Sequence, residues 1–255
     1  MGITEDYLKQ AEKLLFSVFK DERPQLLSAF GNAEHDLKED NTVVTKMDKN
    51  MEKSIRTVLR KFDRGVGIEG EELGIEGSRK TFWLVDPIDG TEAFIRGLPD
   101  PRNMATLIDN GEPVFCIVYK FVTDELFIAR KGKGATRNGQ PIQVSDRPLN
   151  RSWIEYGTDL MDPKSAKRYL ALRPHVNTYT IMKDFTPIAI GGYEGGIWDQ
   201  HNGGPWDYAP RALLIKEAGG VVANVGSDKY DYKIINLIAT NARIFDELHK
   251  LYKEN

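Results

Sequence analysis

The sequence predicts a layered α/β fold, an α+β arrangement of helices stacked on sheets, and three features of its patterning carry that expectation. Residues 4–20 and 45–62 place apolar side chains at helical spacing, residues 65–146 break into short apolar runs punctuated by Gly, Pro and Asn, and beyond 146 strand-like and helix-like segments alternate. Helices covering sheets bury both kinds of pattern at once. At 255 residues the chain is long enough to bury a sizeable core without staples.

In chain order, Tyr7, Leu8, Ala11, Leu14, Leu15, Val18 and Phe19 form a helical stripe, with Thr4 as cap and Glu5 and Asp6 suiting the N-terminal dipole. The stretch GNAEHDLKEDN (31–41) reads as a mobile loop. TKMD (45–48) is a capping-box start with Asp48 in the place of Glu, followed by Met47, Met51, Ile55, Val58 and Phe62 at helical spacing. GVGI, FWLV, MATLI, VFCIVYK and ELFIAR are expected strands, and RNGQ (137–140) is a hairpin turn. Then come SWIEYG as a strand, 162–172 as a helix, TYTIM as a strand, a helix around 186–193, IWDQ, a helix from about 206 to 217, GGVVANV, INLIA and a last helix from 241. The change of texture near 146 divides the chain into an N-terminal half (1–146) and a C-terminal half (147–255), expected to pack as one rigid unit.

The formal net charge is only -3, so no stripe for a polyanion is implied and nucleic acid is not expected as a partner. The single cysteine, Cys116, sits in an apolar run with no partner for a disulfide, which suits a reducing compartment. The N-terminus lacks the basic and then apolar character of a secretory signal, and no stretch approaches the roughly 20 apolar residues that a membrane helix needs. The expectation is a cytoplasmic protein with no membrane partner. The four histidines read as surface or loop residues rather than nucleophiles, His201 lying nearest the expected pocket.

WLVDPIDGT (83–91) is the stretch richest in chemistry. Asp-Pro and Asp-Gly are common turn dipeptides, and a plain turn is the bland alternative. A calcium loop fails, because Gly90 at loop position six would put Val85, Pro87 and Arg96 at ligand positions. If FWLV is a strand, Asp86 emerges at its end and Asp89 swings back, so that two carboxylates and the Ile88 carbonyl converge. Hard oxygen ligands of that kind suit Mg²⁺. Gly90 permits close backbone approach, and a helix opening at Thr91 would offer free amides to phosphate. Glu71 and Glu72 in IEGEELG, alone, read as a solvated acidic loop. Asp207, in the first turn of a helix opened by GPWDYA, reads alone as a dipole contact.

Together, GEE (70–72), WLVDPIDGT (83–91), PWDYA (205–209) and KEAGG (216–220), in this order and at these separations, resemble the inositol monophosphatase superfamily over nearly the whole chain. The resemblance implies an α-β-α-β-α sandwich, a Mg²⁺-dependent, often lithium-sensitive phosphomonoesterase, and a homodimer. It makes Glu71, Asp86 and the Ile88 carbonyl ligands of one Mg²⁺, gives Asp86, Asp89 and Asp207 a second, and places a loosely held third near Glu71. Asp48 and Thr91 match the pair that orients the attacking water. The Gly90 and Thr91 amides match the phosphate cradle, and Lys38 matches a basic residue near the site. Asp199 is the nearest match to the acidic residue that meets substrate hydroxyls before the Trp-Asp pair.

The implied substrate is a small phosphomonoester, inositol 1-phosphate first. The second half departs from the inositol-specific pattern, with TYTIMKDFTPIAIGGYEGG where a Gly-Ser-Ala-Ala-like segment is usual. GEELG and DGTEAFIRGLP resemble histidinol-phosphate phosphatases of the same superfamily, whose amine could meet Asp184, Glu194 or Asp199. A non-catalytic, metal- and phosphate-binding regulatory relative is the alternative from another class, although Asp48, Glu71, Asp86, Asp89, Thr91 and Asp207 are all present.

Overall fold

The computed structural model describes residues 2–38, 42–99, 101–157, 162–180, 184–199 and 203–253. Contacts divide the chain into two compact units: Met1–Ile128 with Arg137–Gly139, and Ala129–Thr136 with Gln140–Asn255.

Unit 1 begins with α1 (Glu5–Ala29), capped by Thr4, whose hydroxyl accepts the Tyr7 amide at 3.2 Å. The helix runs nine residues past the expected stripe, through Pro24, which removes one helical hydrogen bond. Tertiary contacts hold the extension: Leu26 is buried, Arg23 Nε donates to the Phe121 carbonyl at 2.8 Å, and Ser54 donates to Glu22 at 2.6 Å. Short strands β1 (His35–Leu37) and β2 (Val43–Thr45) pair antiparallel. That corrects the expectation of loop at 35–37, because the β-branched run Val43–Thr45 gives this segment an edge to bond to, while residues 39–41 of the expected loop lie outside the described residues.

Helix α2 (Lys46–Phe62) starts at the expected capping box: Thr45 caps the first turn and Asp48 returns the bond to the Thr45 amide at 2.8 Å. Then follow β3 (Gly67–Gly70), β4 (Gly74–Glu76), β5 (Thr81–Asp89), α3 (Thr91–Arg96), β6 (Arg102–Asp109), β7 (Glu112–Lys120) and β8 (Glu125–Arg130). Within unit 1 the sheet order is β8-β7-β6-β5-β3-β4, antiparallel along β5, β6 and β7 and parallel between β3 and β5. Helices α1 and α2 pack on each other and on this sheet. Ala11, Leu15, Phe19, Ile55, Trp83, Val85, Phe115, Ile117 and Tyr119 form the core between them, Trp83 meeting Phe115 edge to face at 5.9 Å. Each large apolar side chain so buried contributes roughly 1.5–3 kcal/mol. Cys116, the single cysteine, is a buried thiol on β7.

After β8 come β9 (Gly134–Arg137) and β10 (Gln140–Ile142), joined where Asn138 and Gly139 both take positive φ (49° and 77°), as the expected hairpin turn requires. In unit 2 a 3-10 turn (Leu149–Arg151) leads to β11 (Trp153–Tyr156), α4 (Pro163–Leu172), β12 (Thr178–Thr180), α5 (Thr186–Ala189), β13 (Gly195–Trp198), α6 (Pro205–Glu217), β14 (Val221–Ala223), β15 (Leu237–Thr240) and α7 (Phe245–Lys253). The five-stranded sheet has the order β12-β11-β13-β15-β14, with β11 parallel to both neighbours and β15 antiparallel to both of its own. Its core gathers Ile154, Tyr156, Leu172, Ile197, Ile238, Leu248 and Tyr252. Layered helices and sheets in each unit give the α/β class expected. Among the described residues, no helix is long and apolar enough to cross a membrane.

One histidine departs from the reading above. His249 lies on the inner face of α7, buried beside Phe245, because Phe245, Leu248 and Tyr252 set that face and position 249 falls within it. His35 and His175 are exposed, and His201 lies outside the described residues.

Candidate active site

Strand β5 is buried along nearly its whole length and delivers Asp86 and Asp89 at its C-terminal end. On a regular strand, residues three apart point to opposite faces. Here the pairing with β6 slips: Asp86 stands opposite Met104 and Asp89 opposite Arg102, so β5 spends one residue more than its partner. That bulge returns Asp89 to the side of Asp86, and an oxygen of each lies within 4.8 Å of the other. Gly90 follows at φ 85° and opens α3. A Cβ-bearing residue would be strained there.

Two residues at the start of β6 brace this turn. Arg102 Nε donates to Asp89 Oδ2 at 2.5 Å, and the Asn103 amide donates to the Pro87 carbonyl at 2.6 Å. Thr91, first in α3, has its hydroxyl 3.0 Å from the Ile88 carbonyl and 3.1 Å from Asp48 Oδ1. The other Asp48 oxygen accepts the Thr45 amide and the Thr45 hydroxyl, at 2.8 and 2.6 Å. Burial pushes the Asp48 carboxyl above the ordinary range, while the bonds from Thr45 and Thr91 pull the other way.

Glu71 lies in the turn between β3 and β4, its amide bonded to the Val85 carbonyl at 3.2 Å. Lys38 Nζ reaches Glu71 Oε1 at 2.7 Å and Glu72 Oε1 at 2.5 Å. Burial of the ammonium lowers its pKa, but the two carboxylates outweigh that and hold it above its usual value. Under this turn sits Glu52 of α2, fully buried. Its Oε1 accepts from Arg56 Nε at 2.7 Å and its Oε2 from the Glu72 amide at 2.8 Å, while Arg56 also reaches the Gly74 carbonyl. A Cβ on Gly70 would stand 2.0 Å from Glu52 Oε1, so glycine there is what lets the strand pass the carboxylate.

Unit 1 therefore gathers Lys38, Asp48, Glu71, Asp86, Ile88, Asp89, Gly90 and Thr91 on consecutive turns around the end of β5. Asp199 and Asp207 belong to unit 2. Asp207 is the third residue of α6, where its Oδ2 accepts the Gly204 amide at 2.8 Å. Asp199, just past β13, is paired with Arg168 (3.3 Å) and with the Tyr252 hydroxyl. Glu194 is buried against Arg147 and the Trp153 amide, and Asp184 accepts from the Thr186 amide and hydroxyl.

Glu52, Arg56, Arg102 and Asn103 were not singled out in the sequence. Asp48, Glu52 and Arg56 recur every fourth residue beside the apolar stripe of α2, a signal that places ionisable groups on a buried face. Arg102 and Asn103 are a polar pair standing directly before the run MATLI.

The donor set fits a hard divalent cation. It consists of carboxylates and a backbone carbonyl, with no thiolate or imidazole, and its two buried aspartates need positive charge close by. Arg102 supplies part of that charge from the protein itself.

A profile of the inositol monophosphatase family matches residues 4–254. The chain is 30% identical to a fructose-1,6-bisphosphatase/inositol-1-monophosphatase of Aquifex aeolicus, over 83% of this chain and 82% of that protein. It is also 30% identical to the Nus factor SuhB of Xylella fastidiosa, over 80% and 79%. The solved structure of an IMPase of Thermotoga maritima superposes with a TM-score of 0.84, covering 95% of this chain and 97% of that one at 26% identity.

Proposed function

The chain belongs to the inositol monophosphatase family, a family of metal-dependent phosphatases, and from that premise we propose that it is a Mg²⁺-dependent phosphatase hydrolysing a small phosphomonoester, inositol 1-phosphate first. The observation that carries the reading is the Thr91 hydroxyl set between Asp48 and the Ile88 carbonyl. One hydroxyl proton cannot serve both acceptors fully, and when the Ile88 oxygen ligates a cation the proton is left to Asp48. Thr91 then turns a lone pair outward to accept from a water, and Asp48 takes up positive character passed through the hydroxyl.

In this reading Glu71, Asp86 and the Ile88 carbonyl hold one Mg²⁺, Asp86, Asp89 and Asp207 a second, and a third sits near Glu71. When bound, such ions acidify a water and stabilise the leaving oxygen. The Gly90 and Thr91 amides face the phosphate, and Lys38 keeps Glu71 oriented until metal arrives. A homodimer in the cytoplasm, with no membrane or nucleic-acid partner, belongs to the same reading.

Charge at Glu194 and Asp199 favours a neutral polyol over an amine as the rest of the substrate. Glu194 is already neutralised by Arg147 and Asp199 by Arg168. Carboxylates so paired still accept hydroxyls but offer little to an ammonium. The test is phosphate release under one Mg²⁺ concentration from inositol 1-phosphate, histidinol phosphate, fructose 1,6-bisphosphate and adenosine 3′,5′-bisphosphate. Preference for inositol 1-phosphate is expected. Preference for histidinol phosphate would move the reading to that activity, and no release from any of them would overturn it in favour of a non-catalytic role.

A further inference from the structure

Trp153, the first residue of β11, is 46% exposed, although an indole is among the costliest side chains to leave in water. It lines a groove of about 590 Å³ that lies wholly within unit 2 and has the size of a small-ligand site. The Trp153 and Tyr193 rings there lie close to parallel, 23° apart with centroids at 6.0 Å, so a planar ring laid on the exposed indole extends an existing stack.

The rest of the lining is cationic. Arg147 donates from Nε to Glu194 Oε1 at 2.6 Å and from Nη2 to the Gly191 and Gly192 carbonyls at 2.5 and 3.0 Å, which fixes the guanidinium and leaves Nη1 for a ligand. Arg151, in the 3-10 turn before β11, is exposed and its side chain has no ion pair among the described residues. Glu194 is the one acid among the described residues of the lining. It is 1% exposed, and its oxygens already accept from Ser145, Arg147 and the Trp153 amide at 3.0, 2.6 and 2.7 Å. Two guanidinium groups against one saturated carboxylate leave the groove with a net positive charge. Asn177 adds an amide that both donates and accepts.

We propose that this groove binds a nucleoside monophosphate, with the base stacked on Trp153, its edge met by Asn177, and the phosphate on Arg151 and the remaining nitrogen of Arg147. A sugar phosphate would use the arginines and leave the rings in water, and a neutral aromatic molecule would do the reverse. A planar anion uses both. The groove is also distinct from the substrate wall. Trp153 opens β11 and Glu194 stands just before β13, which runs parallel to it, whereas Asp199 lies just past the other end of β13, about 13 Å of strand away. With one carboxylate, already bonded, the groove offers no pair of acids to a metal, so it is a site of binding and not of phosphate hydrolysis.

The test is isothermal titration calorimetry of the full chain in EDTA against adenosine 5′-monophosphate (AMP), adenosine and ribose 5-phosphate. AMP is expected to bind tightest, because each of the others keeps only one half of the recognition. Trp153→Ala should weaken AMP by about tenfold or more. Arg151→Gln should bring AMP close to the affinity of adenosine and leave adenosine unchanged. AMP that binds wild type and Trp153→Ala equally overturns the proposal, and so does AMP that binds only when Mg²⁺ is restored, since it then occupies the metal site. If Trp153→Ala does not fold, Arg151→Gln decides: an unchanged AMP affinity overturns the proposal, and a loss confined to AMP supports it. If AMP gives no heat with wild type, the proposal fails, and dissociation of an oligomer by Trp153→Ala on sedimentation would then make the groove a contact between copies of this chain.

Discussion

Thr91 Oγ1 stands 3.1 Å from Asp48 Oδ1, across 43 residues of sequence, while the second Asp48 oxygen is tied into the N-terminal cap of α2. One carboxylate therefore both starts a helix and orients a hydroxyl. Asp48→Asn keeps an oxygen for the cap but loses the charge that draws the Thr91 proton. Turnover should fall about 10²–10⁴-fold, with stability changed by only about 1 kcal/mol. Steady-state kinetics and thermal unfolding of the same preparation check both halves, and near-normal turnover would remove Asp48 from the reaction.

Glu52 ties α2 to the turn carrying Glu71, through Arg56 on one oxygen and the Glu72 amide on the other. Glu52→Leu takes from the buried Arg56 its nearer carboxylate, leaving it Glu76 at 3.5 Å, and should cost about 3 kcal/mol. Glu52→Gln still offers an oxygen to the Glu72 amide and should cost less. Urea unfolding orders the two variants. Equal losses would mean that the amide contact contributes nothing and that Glu52 serves Arg56 alone.

What the sequence made legible, and what it hid, follows the range of the interactions involved. The start of α2, the turn at Asn138-Gly139 and the opening of α3 after Gly90 are each set by a few adjacent residues, and all appear where the sequence places them. The continuation of α1 past Pro24 and the pairing of β1 with β2 depend on partners elsewhere in the chain, and local propensity missed both. The candidate site divides the same way. Asp86, Ile88, Asp89, Gly90 and Thr91 occupy one turn, and a motif exposes them together. Glu52, Arg102 and Asn103 act only through residues distant in sequence, and His249 is buried by the face of a helix rather than by its own chemistry.

Asp89 is the residue on which metal and protein charge meet. Asp89→Asn leaves Arg102 buried beside a neutral amide, so a loss of a few kcal/mol in stability is expected along with a fall of orders of magnitude in turnover. A ligand-specific signature separates the two effects. Saturation at 100 times Kd stabilises a folded protein by about 2.7 kcal/mol, so Mg²⁺ should raise the Tm of wild type, and should do so much less for Asp89→Asn. An undiminished Mg²⁺ shift in the variant would take Asp89 out of the metal site.

Acid stability gives a prediction independent of the active site. His249 is buried on α7, its ring 5.1 Å from that of Phe245, with Asp228 3.8 Å from Nδ1 and Lys253 nearby. Burial is the leading cause that pushes its pKa below the usual 6.5, Lys253 adds to it, and the exposed Asp228 and Asp246 offset only part. A folded-state value below the unfolded one means that, as pH drops under about 6.5, the unfolded chain takes up a proton that the folded chain resists. The contribution is complete above that pH and is lost as pH falls toward the depressed folded value. Urea midpoints should therefore decline from pH 7.5 to pH 5.5, and His249→Leu, which fits the apolar face of α7, should decline less over the same interval. Parallel slopes in the two proteins would show that another group carries the acid sensitivity and that the ring is protonated as readily folded as unfolded.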